Sequence, residues 1–413
     1  MIEKTIDFVK RQKKPFKVNM VRVSFQYFFT SMTQQYQPLY IVSLGANAFQ
    51  LGFVNGIGGI ASAIISMPTG WLADKYGIRR MFLLGLPLAA FGSLIFVISS
   101  EWLITIPALF ITLFSFQILM TICPMVCGSY LKKEERATGM QLCDTVSAVP
   151  GTVAPIIAAI VITAFGGLTS EGMRPLYVIQ TIGFFLLFLL VLRFYKDTIE
   201  RKSPSTLTSK AGLAGHMREI FSKGKNVKRW IVYRSLSRIS WFVSLTYLPL
   251  FAEEVKGANQ FVLGGMTTVS MIVPLLLAIP MGRLADTIGR KKVIYTTMPF
   301  YYMSILLLIY APDFATLLIS SLLQGFLILG LVTQGAISQE LVPTSLLGTW
   351  WGMLNLISGI MSVLAPILGG FIWSFFGPVQ VFLFILFLEV SKLILLWLLM
   401  PETLVRAHMT PKT

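Results

Sequence analysis

The sequence predicts an all-α membrane protein of about twelve transmembrane helices in two pseudo-symmetric six-helix bundles. Composition gives the first indication, since 55% of the 413 residues are hydrophobic, 13% are charged and the mean hydropathy is +0.74. A soluble domain has roughly 25% charged residues, so most of this protein's surface has to face lipid. The second indication is a series of long apolar segments, and the third is a repeat shared by the two halves of the chain.

Each predicted helix is an apolar segment close to the length of about 20 residues that a bilayer crossing needs. A soluble helical protein would not contain so many of them. The segments are 19–43, 49–72, 81–99, 102–128, 137–164, 175–194, 229–252, 260–282, 293–311, 314–338, 347–375 and 379–400.

An internal duplication is visible as matched residues at a nearly constant offset. Residues 70–80 read GWLADKYGIRR and residues 282–292 read GRLADTIGRKK, an offset of 212. Matches in the same order along the whole chain indicate two homologous halves. The further matches, at offsets of 211 or 212, pair Leu51-Gly52 with Leu263-Gly264, Pro68 with Pro280, Pro38-Leu39-Tyr40 with Pro249-Leu250-Phe251, and Ala154-Pro155 with Ala365-Pro366.

The spans and the repeat divide the chain into five parts. A segment rich in Ser, Thr, Lys and Gly separates two halves of six helices each, so the halves have the same orientation in the membrane. The predicted parts are a cytoplasmic basic N-terminal segment (1–18), an N-terminal six-helix bundle (19–196), a cytoplasmic linker (197–228), a C-terminal six-helix bundle (229–400) and a cytoplasmic tail (401–413).

The net charge of +16 indicates membrane topology rather than a nucleic-acid partner. Most of the 34 Lys and Arg lie in the tails and in loops on one side, whereas only Arg174 and Lys256 lie on the other. Short loops rich in Lys and Arg stay cytoplasmic. We therefore expect a multi-pass protein of the plasma membrane with both termini in the cytoplasm and contacts to anionic lipid. The N-terminal segment lacks a signal-peptide core and is interpreted as a basic helix lying on the membrane surface.

Nothing in the sequence indicates an enzyme, a cofactor or a metal site. The only histidines are His216 and His408, no acidic cluster fits a metal, and no glycine-rich phosphate loop follows a strand. Direct driving by ATP is therefore not expected. The three cysteines, Cys123, Cys127 and Cys143, lie in apolar spans and are interpreted as packing residues.

The repeated loop resembles the signature of the major facilitator superfamily of secondary transporters, G-x-x-x-D-[RK]-x-G-[RK]-[RK]-[RK], and the resemblance covers nearly the whole chain. The first half matches at Gly70, Asp74, Lys75, Gly77, Arg79 and Arg80, with Ile78 departing. The second half matches at Gly282, Asp286, Gly289, Arg290, Lys291 and Lys292, with Thr287 departing. The resemblance implies a small-molecule substrate and alternating access by rocking of the two halves, and we expect a monomer.

The loop signature is expected to form a gate on the cytoplasmic side. Glycine permits close helix approach and tight turns, and an aspartate at the membrane edge can accept hydrogen bonds from a helix N-terminus. By the resemblance, Asp74 pairs with the start of the eleventh helix near 347–350, and Asp286 with the start of the fifth near 137–139. Ordinary positively charged loops are the alternative. The candidate gate residues are Gly70, Asp74, Gly77, Arg79, Arg80, Gly282, Asp286, Gly289, Arg290 and Lys291.

A polar stripe on the first span predicts a substrate cavity. Polar residues there recur every three or four positions from Arg22 to Gln37, so they share one helix face. In a membrane such groups need water or polar partners, so the stripe indicates a water-filled cavity or, alternatively, hydrogen bonds between helices. The resemblance implies that spans 1, 4, 7 and 10 line the path. The candidate cavity residues are Gln26, Thr30, Thr33, Gln34, Gln37, Gln117, Thr121, Arg238, Trp241 and Gln334.

Charged residues within the spans leave several interpretations open. Asp144 is a candidate proton site or a fixed partner of an arginine. Arg238 could attract a substrate anion or hold an acidic group in place. Glu389 and Lys392 are three residues apart on one helix, which predicts a local structural pair.

The expected function is secondary active transport, with export of small lipophilic or amphipathic compounds and proton entry as one coupling option. The Ala-Pro elements of the fifth and eleventh spans resemble the Gly-Pro-x-x-Gly-Gly element of the antiporter branch. Two departures weaken proton-coupled drug efflux: the fourth span reads Phe116-Gln117-Ile118 without the usual Arg, and the first span has no carboxylate. The alternatives are uptake or facilitated transport of an organic anion or other small metabolite, and a channel or receptor without carrier activity.

Overall fold

The computed structural model describes residues 10–131, 136–196, 225–342 and 347–400, and all regular elements in these ranges are helical. The predicted all-α membrane fold is confirmed. The helices are α1 (Lys14–Gln34), α2 (Gln37–Ser43), α3 (Ala48–Tyr76), α4 (Ile78–Ile98), α5 (Thr105–Tyr130), α6 (Arg136–Ala164), α7 (Ser170–Phe194), α8 (Lys225–Glu254), α9 (Gln260–Ile288), α10 (Arg290–Tyr310), α11 (Phe314–Glu340), α12 (Leu347–Phe376) and α13 (Pro378–Leu399), with a short 3₁₀ turn at Trp102–Ile104.

Helices α1 and α2 together make the first crossing, because the predicted first span is broken at residues 35–36. Pro38 has no N–H with which to bond the carbonyl of Gln34, so the helix ends there and restarts at Gln37. In the second half Pro249 lies inside the unbroken α8. Helix α1 begins at Lys14, so its first five residues belong to the expected surface segment 1–18; Pro15 occupies its first turn and Phe16 is fully buried.

The outer surface is suited to lipid. Within the described ranges, ten helices are long and apolar enough to cross a membrane. Helices α1 and α8 are not among them because polar and charged residues lower their hydropathy. Large apolar side chains are exposed on the outer faces of the bundle, for example Leu276, Phe387 and Trp397.

The two ends of the bundle differ in how the halves meet. We call the end where α1 starts, α7 ends and α8 starts the linker end, and the opposite end the distal end. One hydrophobic cluster at the distal end joins both halves, with Tyr36 and Leu51 from the first and Tyr247 and Phe251 from the second. At the linker end the N-terminal half has its own cluster around Phe82, and the C-terminal half has another. Among the described residues, the core that both halves share therefore lies at the distal end.

Glu389 and Lys392 form the predicted local pair. The Lys392 Nζ lies 2.7 Å and 2.6 Å from the two carboxylate oxygens of Glu389, and both side chains are fully buried. The ammonium group also lies over the ring of Tyr233, 5.6 Å from its centroid. The pair is thus part of the packing between α13 and α8.

Candidate transport cavity

A cavity region lies between the two halves and consists of two adjoining lobes that share part of their walls. The first lobe, of about 280 Å³, lies where α6, α9 and α11 face α1 and α8. The second, of about 470 Å³, lies between α1, α3, α5, α8 and α12. Residues of both halves, including Gln26, Thr30 and Trp241, line both lobes. These volumes are in the range of small-molecule sites, which combine apolar walls with a few polar groups.

Eight of the ten predicted cavity residues line these lobes: Gln26, Thr30, Thr33, Gln34, Gln37, Gln117, Arg238 and Trp241. The other two are placed elsewhere. The hydroxyl of Thr121 donates to the carbonyl of Gln117, 2.9 Å away on the same helix. Gln334 is fully buried and accepts a hydrogen bond of 2.9 Å from Arg234. Both side chains are therefore engaged within their own half rather than in the cavity walls.

Several wall residues were not singled out from the sequence. Asn55 on α3 and Asn355 on α12 face the second lobe, and each is an amide in an otherwise apolar or small-residue stretch. Gln180 on α7 also lines it and donates to Thr33 at 3.0 Å. An amide within an apolar span was the signal that could have identified them.

The first helices of the two halves, α1 and α8, carry three arginines within the membrane region, and these have different surroundings. Arg22 is fully buried, bonds to Asn19 and Gln26, and lies over the ring of Phe82. Arg234, its equivalent at an offset of 212, donates to Gln334. Both are held within their own half.

Arg238 is the arginine that faces the cavity. It lies one turn after Arg234 and lines the second lobe. Its Nε is buried and has no hydrogen-bond partner in the part of the chain that the structure describes. An unpaired guanidinium nitrogen inside a membrane protein is costly unless water or a ligand reaches it.

Two equivalent tyrosines contribute to the contact between the two halves at the distal end, which we call the distal seam. The Tyr36 hydroxyl lies 3.2 Å from the carbonyl oxygen of Pro155 in its own half and 2.8 Å from that of Gln260 in the other. The Tyr247 hydroxyl lies 2.7 Å from the carbonyl oxygen of Pro366 and 3.0 Å from that of Ala48. Each hydroxyl carries one hydrogen and shares it between two carbonyls.

Two glycines make this approach possible. An added Cβ at Gly52 would meet the carbonyl of Pro366 and the hydroxyl of Tyr247, and one at Gly264 would meet the carbonyl of Pro155 and the hydroxyl of Tyr36. The Leu-Gly and Ala-Pro repeats of the sequence therefore mark the contacts that join the halves. The sequence analysis missed the tyrosines, although both also match at an offset of 211.

The seam continues further on one side than on the other. On the α3–α12 side, which is the more extensive contact, Gly59 meets Ser362 and Ala63 meets Gly359 beyond the tyrosine level. On the α6–α9 side the Thr268 hydroxyl donates to the carbonyl of Thr152, 2.7 Å away. The first lobe opens directly beside this bond, since Thr152 is part of its wall.

The basic residues of the two loop signatures bond to helix ends within their own half. Arg79 Nη2 donates to the carbonyl of Leu192 at the end of α7, at 2.9 Å. Its equivalent Lys291 donates to the carbonyl of Met400, after α13, at 2.6 Å. Cations favour the carbonyl end of a helix. Arg290 forms an ion pair of 3.0 Å with Glu340, and Arg80 is exposed.

The structure describes only some of the remaining candidate gate residues. Gly77 and Gly289 have positive φ values of 87° and 111°, which confirms the predicted tight turn between α3 and α4 and between α9 and α10. An added Cβ at Gly282 would meet open space. The side chains of Asp74 and Asp286, the surroundings of Gly70 and the side chains of 137–138 and 347–349 lie outside the described part. Gly139 and Trp350, which end the two expected partner ranges, are described and buried, and the Trp350 indole N–H donates to the carbonyl of Ser338 in its own half at 2.7 Å.

Asp144 lies on α6, four residues before Ala148. Residues four apart share one helix face, and Ala148 lines the first lobe, so position 144 lies on the face that is turned toward this lobe. The side chain of Asp144 itself lies outside the described part of the structure.

Comparison with known proteins decides the family. The family model of the Major Facilitator Superfamily matches residues 23–267 and 234–409. The chain belongs to this superfamily. An uncharacterized MFS-type transporter of Methanocaldococcus jannaschii is 24% identical over 394 residues, which cover 89% of this chain and 91% of that protein. The multidrug resistance protein MdtG of Rahnella sp. is 25% identical over 295 residues, which cover 68% of this chain and 66% of MdtG.

The fold agrees with a solved member of the superfamily. A mutant form of the nucleoside transporter NupG superposes with a TM-score of 0.76 at 14% identity, over 92% of this chain and 98% of NupG. At that identity the likeness concerns the fold alone. As a superfamily member the protein is a multi-pass membrane transporter of small molecules and not an enzyme.

Proposed function

We propose that the protein is a secondary carrier that moves small amphipathic compounds by alternating access, with the two-lobed cavity as the binding site. The observation that carries the proposal is the wall shared by both halves: Gln26 and Thr30 from α1 and Trp241 from α8 line both lobes. A site held by two bodies can change the side to which it opens when the bodies rock.

The contacts at the two ends of the bundle support this cycle. The halves meet at the distal end through the shared apolar core and through hydrogen bonds, among them those of Tyr36 and Tyr247, and these contacts can break in a rocking motion. At the linker end each half has its own core and its own loop signature. The loops of Asp74 and Asp286 are the proposed gate that closes this end when the distal end opens.

Export is the proposed direction, and the linker end is the proposed cytoplasmic side. The relatives named multidrug resistance protein support export, and the concentration of Lys and Arg at the linker end supports the orientation. Asp144 is the proposed proton site, and the protein is proposed to work as a monomer. A cysteine introduced at Ser209 should be labelled from the cytoplasmic side only; labelling by an impermeant reagent outside the cell would contradict the orientation.

Transport itself is tested with purified protein in proteoliposomes. A thermal-shift screen of drugs and metabolites identifies a ligand, and counterflow of that labelled ligand is then measured. A carrier shows saturable flux that is accelerated by unlabelled ligand inside the vesicle. Linear flux without exchange would identify a channel, and binding without flux would indicate a receptor. Trp241→Ala should raise the half-saturating concentration because a large apolar wall of both lobes is removed.

A further inference from the structure

The cavity wall is unbalanced in charge. Arg238 is the one charged side chain on the described lining of either lobe, and the other polar groups there are amides and hydroxyls. The equivalent position in the first half is Gln26, which serves as a partner of Arg22. The buried Nε of Arg238, in contrast, has no hydrogen-bond partner within the described ranges. Within the described ranges, the cavity therefore presents a cation whose Nε has no protein partner.

In the described structure, the second lobe extends into one half of the protein and not into the other. It passes beside α1 into the interior of the N-terminal bundle, where Phe96, Tyr177 and Phe184 line it. These side chains come from α4 and α7. Among the described residues that line this lobe, none comes from α10 or α13, the equivalent helices of the second half. The branch therefore belongs to one half only.

The walls of this branch suit a flat apolar group. The rings of Phe96 and Tyr177 stack with centroids 4.7 Å apart. The Tyr177 hydroxyl is buried and has no hydrogen-bond partner in the described structure. Aromatic walls favour planar apolar bodies, and a few polar groups orient them.

We propose that the substrates are amphipathic organic anions, with the anionic group at Arg238 and a planar apolar body in the branch lined by Phe96 and Tyr177. The inference rests on the proposed carrier function and specifies its substrate class. A guanidinium binds carboxylate, sulfonate or phosphate oxygens through two parallel N–H groups, which a neutral or cationic head cannot exploit.

The test uses binding to the purified full chain, measured by titration calorimetry with three probes of one shape. These are naphthalene-2-sulfonate, neutral naphthalene-2-sulfonamide and cationic 2-naphthylmethylammonium. The sulfonate should bind most tightly. Arg238→Gln should weaken sulfonate binding about tenfold or more and leave sulfonamide binding unchanged. Arg193→Gln is the matched control, since Arg193 is exposed at the end of α7 and should leave all three affinities unchanged.

The branch is tested by filling it. Ala89 and Leu119 line the second lobe, and Ala89→Leu or Leu119→Phe should weaken naphthalene-2-sulfonate more than benzenesulfonate, because the larger ring system needs the branch. Two independent substitutions guard against a variant that does not fold. Equal losses for both sulfonates in both folded variants would remove the branch from the site.

Three outcomes would overturn the anion assignment: equal or tighter binding of the sulfonamide or the cation, equal losses of all probes in Arg238→Gln, or sulfonate binding that arises only in Asp144→Asn. The last would show that Asp144 already neutralises Arg238. Saturable counterflow of a neutral probe without anion preference would overturn the anion assignment and leave the carrier function standing. Absence of saturable flux for every probe would count against the carrier function, while the binding preference would still decide the anion assignment.

Discussion

Tyr36 and Tyr247, at equivalent positions of the two halves, each join a proline carbonyl of their own half to a backbone carbonyl of the other half. The two contacts are related by the same offset as the sequence repeat. Both side chains are at most 1% exposed, so these hydrogen bonds are shielded from water. They are therefore well placed to hold the distal end closed.

Tyr36→Phe and Tyr247→Phe should each favour opening of the distal end. Loss of one such hydrogen bond costs about 0.5–1.5 kcal/mol, which changes a two-state population about two- to tenfold. Spin labels at Ser43 and Val255, exposed at the distal end of different halves, report the distance by double electron–electron resonance. Tyr310→Phe is the control because Tyr310 is 74% exposed. Unchanged distance distributions in the double variant would show that these two hydrogen bonds do not hold the distal end closed.

Gly52→Ala should destabilise the folded protein. The added methyl group meets the backbone carbonyl of Pro366, which cannot move without shifting α12. Overpacking of this kind costs about 1–3 kcal/mol. Gly352→Ala is the matched control on α12, since a Cβ there meets open space and alanine stabilises a helix by about 0.5–1 kcal/mol. Thermal unfolding in detergent measures both, and shifts of the same sign would contradict the expectation.

Glu389→Gln should be strongly destabilising. It leaves the fully buried Lys392 ammonium without its carboxylate, and breaking a buried pair costs about 3–5 kcal/mol. The double substitution Glu389→Gln with Lys392→Met should recover most of the loss because no charge remains buried. Unfolding temperatures and a double-mutant cycle measure the coupling. If the double variant is as unstable as the single one, packing rather than charge accounts for the effect.

Asp74→Asn should weaken closure of the linker end and slow transport while the protein still folds. A carboxylate at a helix N-terminus contributes about 0.3–2 kcal/mol, and an amide keeps the shape but not the charge. Counterflow rate and thiol accessibility of the cavity from each side are the measurements. Asp286→Asn tests the repeat mate. Unchanged rate and accessibility in both variants would exclude a gate role for the two aspartates.

The fold could be predicted because apolar spans and a duplicated loop are local signals that survive without tertiary information. The break before Gln37 was also encoded, in Pro38, but a proline inside a helix does not reveal whether the helix bends or ends, as Pro249 shows. Helical periodicity correctly placed Gln26 and Trp241 on the helix faces that line the cavity. It does not explain why Arg238 faces the cavity and Arg234 does not, because the partner of Arg234, Gln334, comes from a distant helix.

Cavity residues on other helices were harder to predict for a related reason. Tyr177 and Gln180 lie on α7, and their role depends on how far the second lobe enters the N-terminal bundle. That depth is set by the packing of four helices, which one sequence does not specify. The tyrosines of the distal seam were missed because their acceptors are backbone carbonyls, which carry no residue-type signal.

The reciprocal tyrosine contacts have the arrangement of an isologous dimer interface, in which each partner offers the same patch to the other. A six-helix ancestor with one such tyrosine could have paired with a second copy of itself before the two copies were joined. The covalent connection would then add local concentration rather than new contacts. Two separately expressed fragments, divided within residues 197–224, should accordingly reassociate in the membrane and restore the shared distal core.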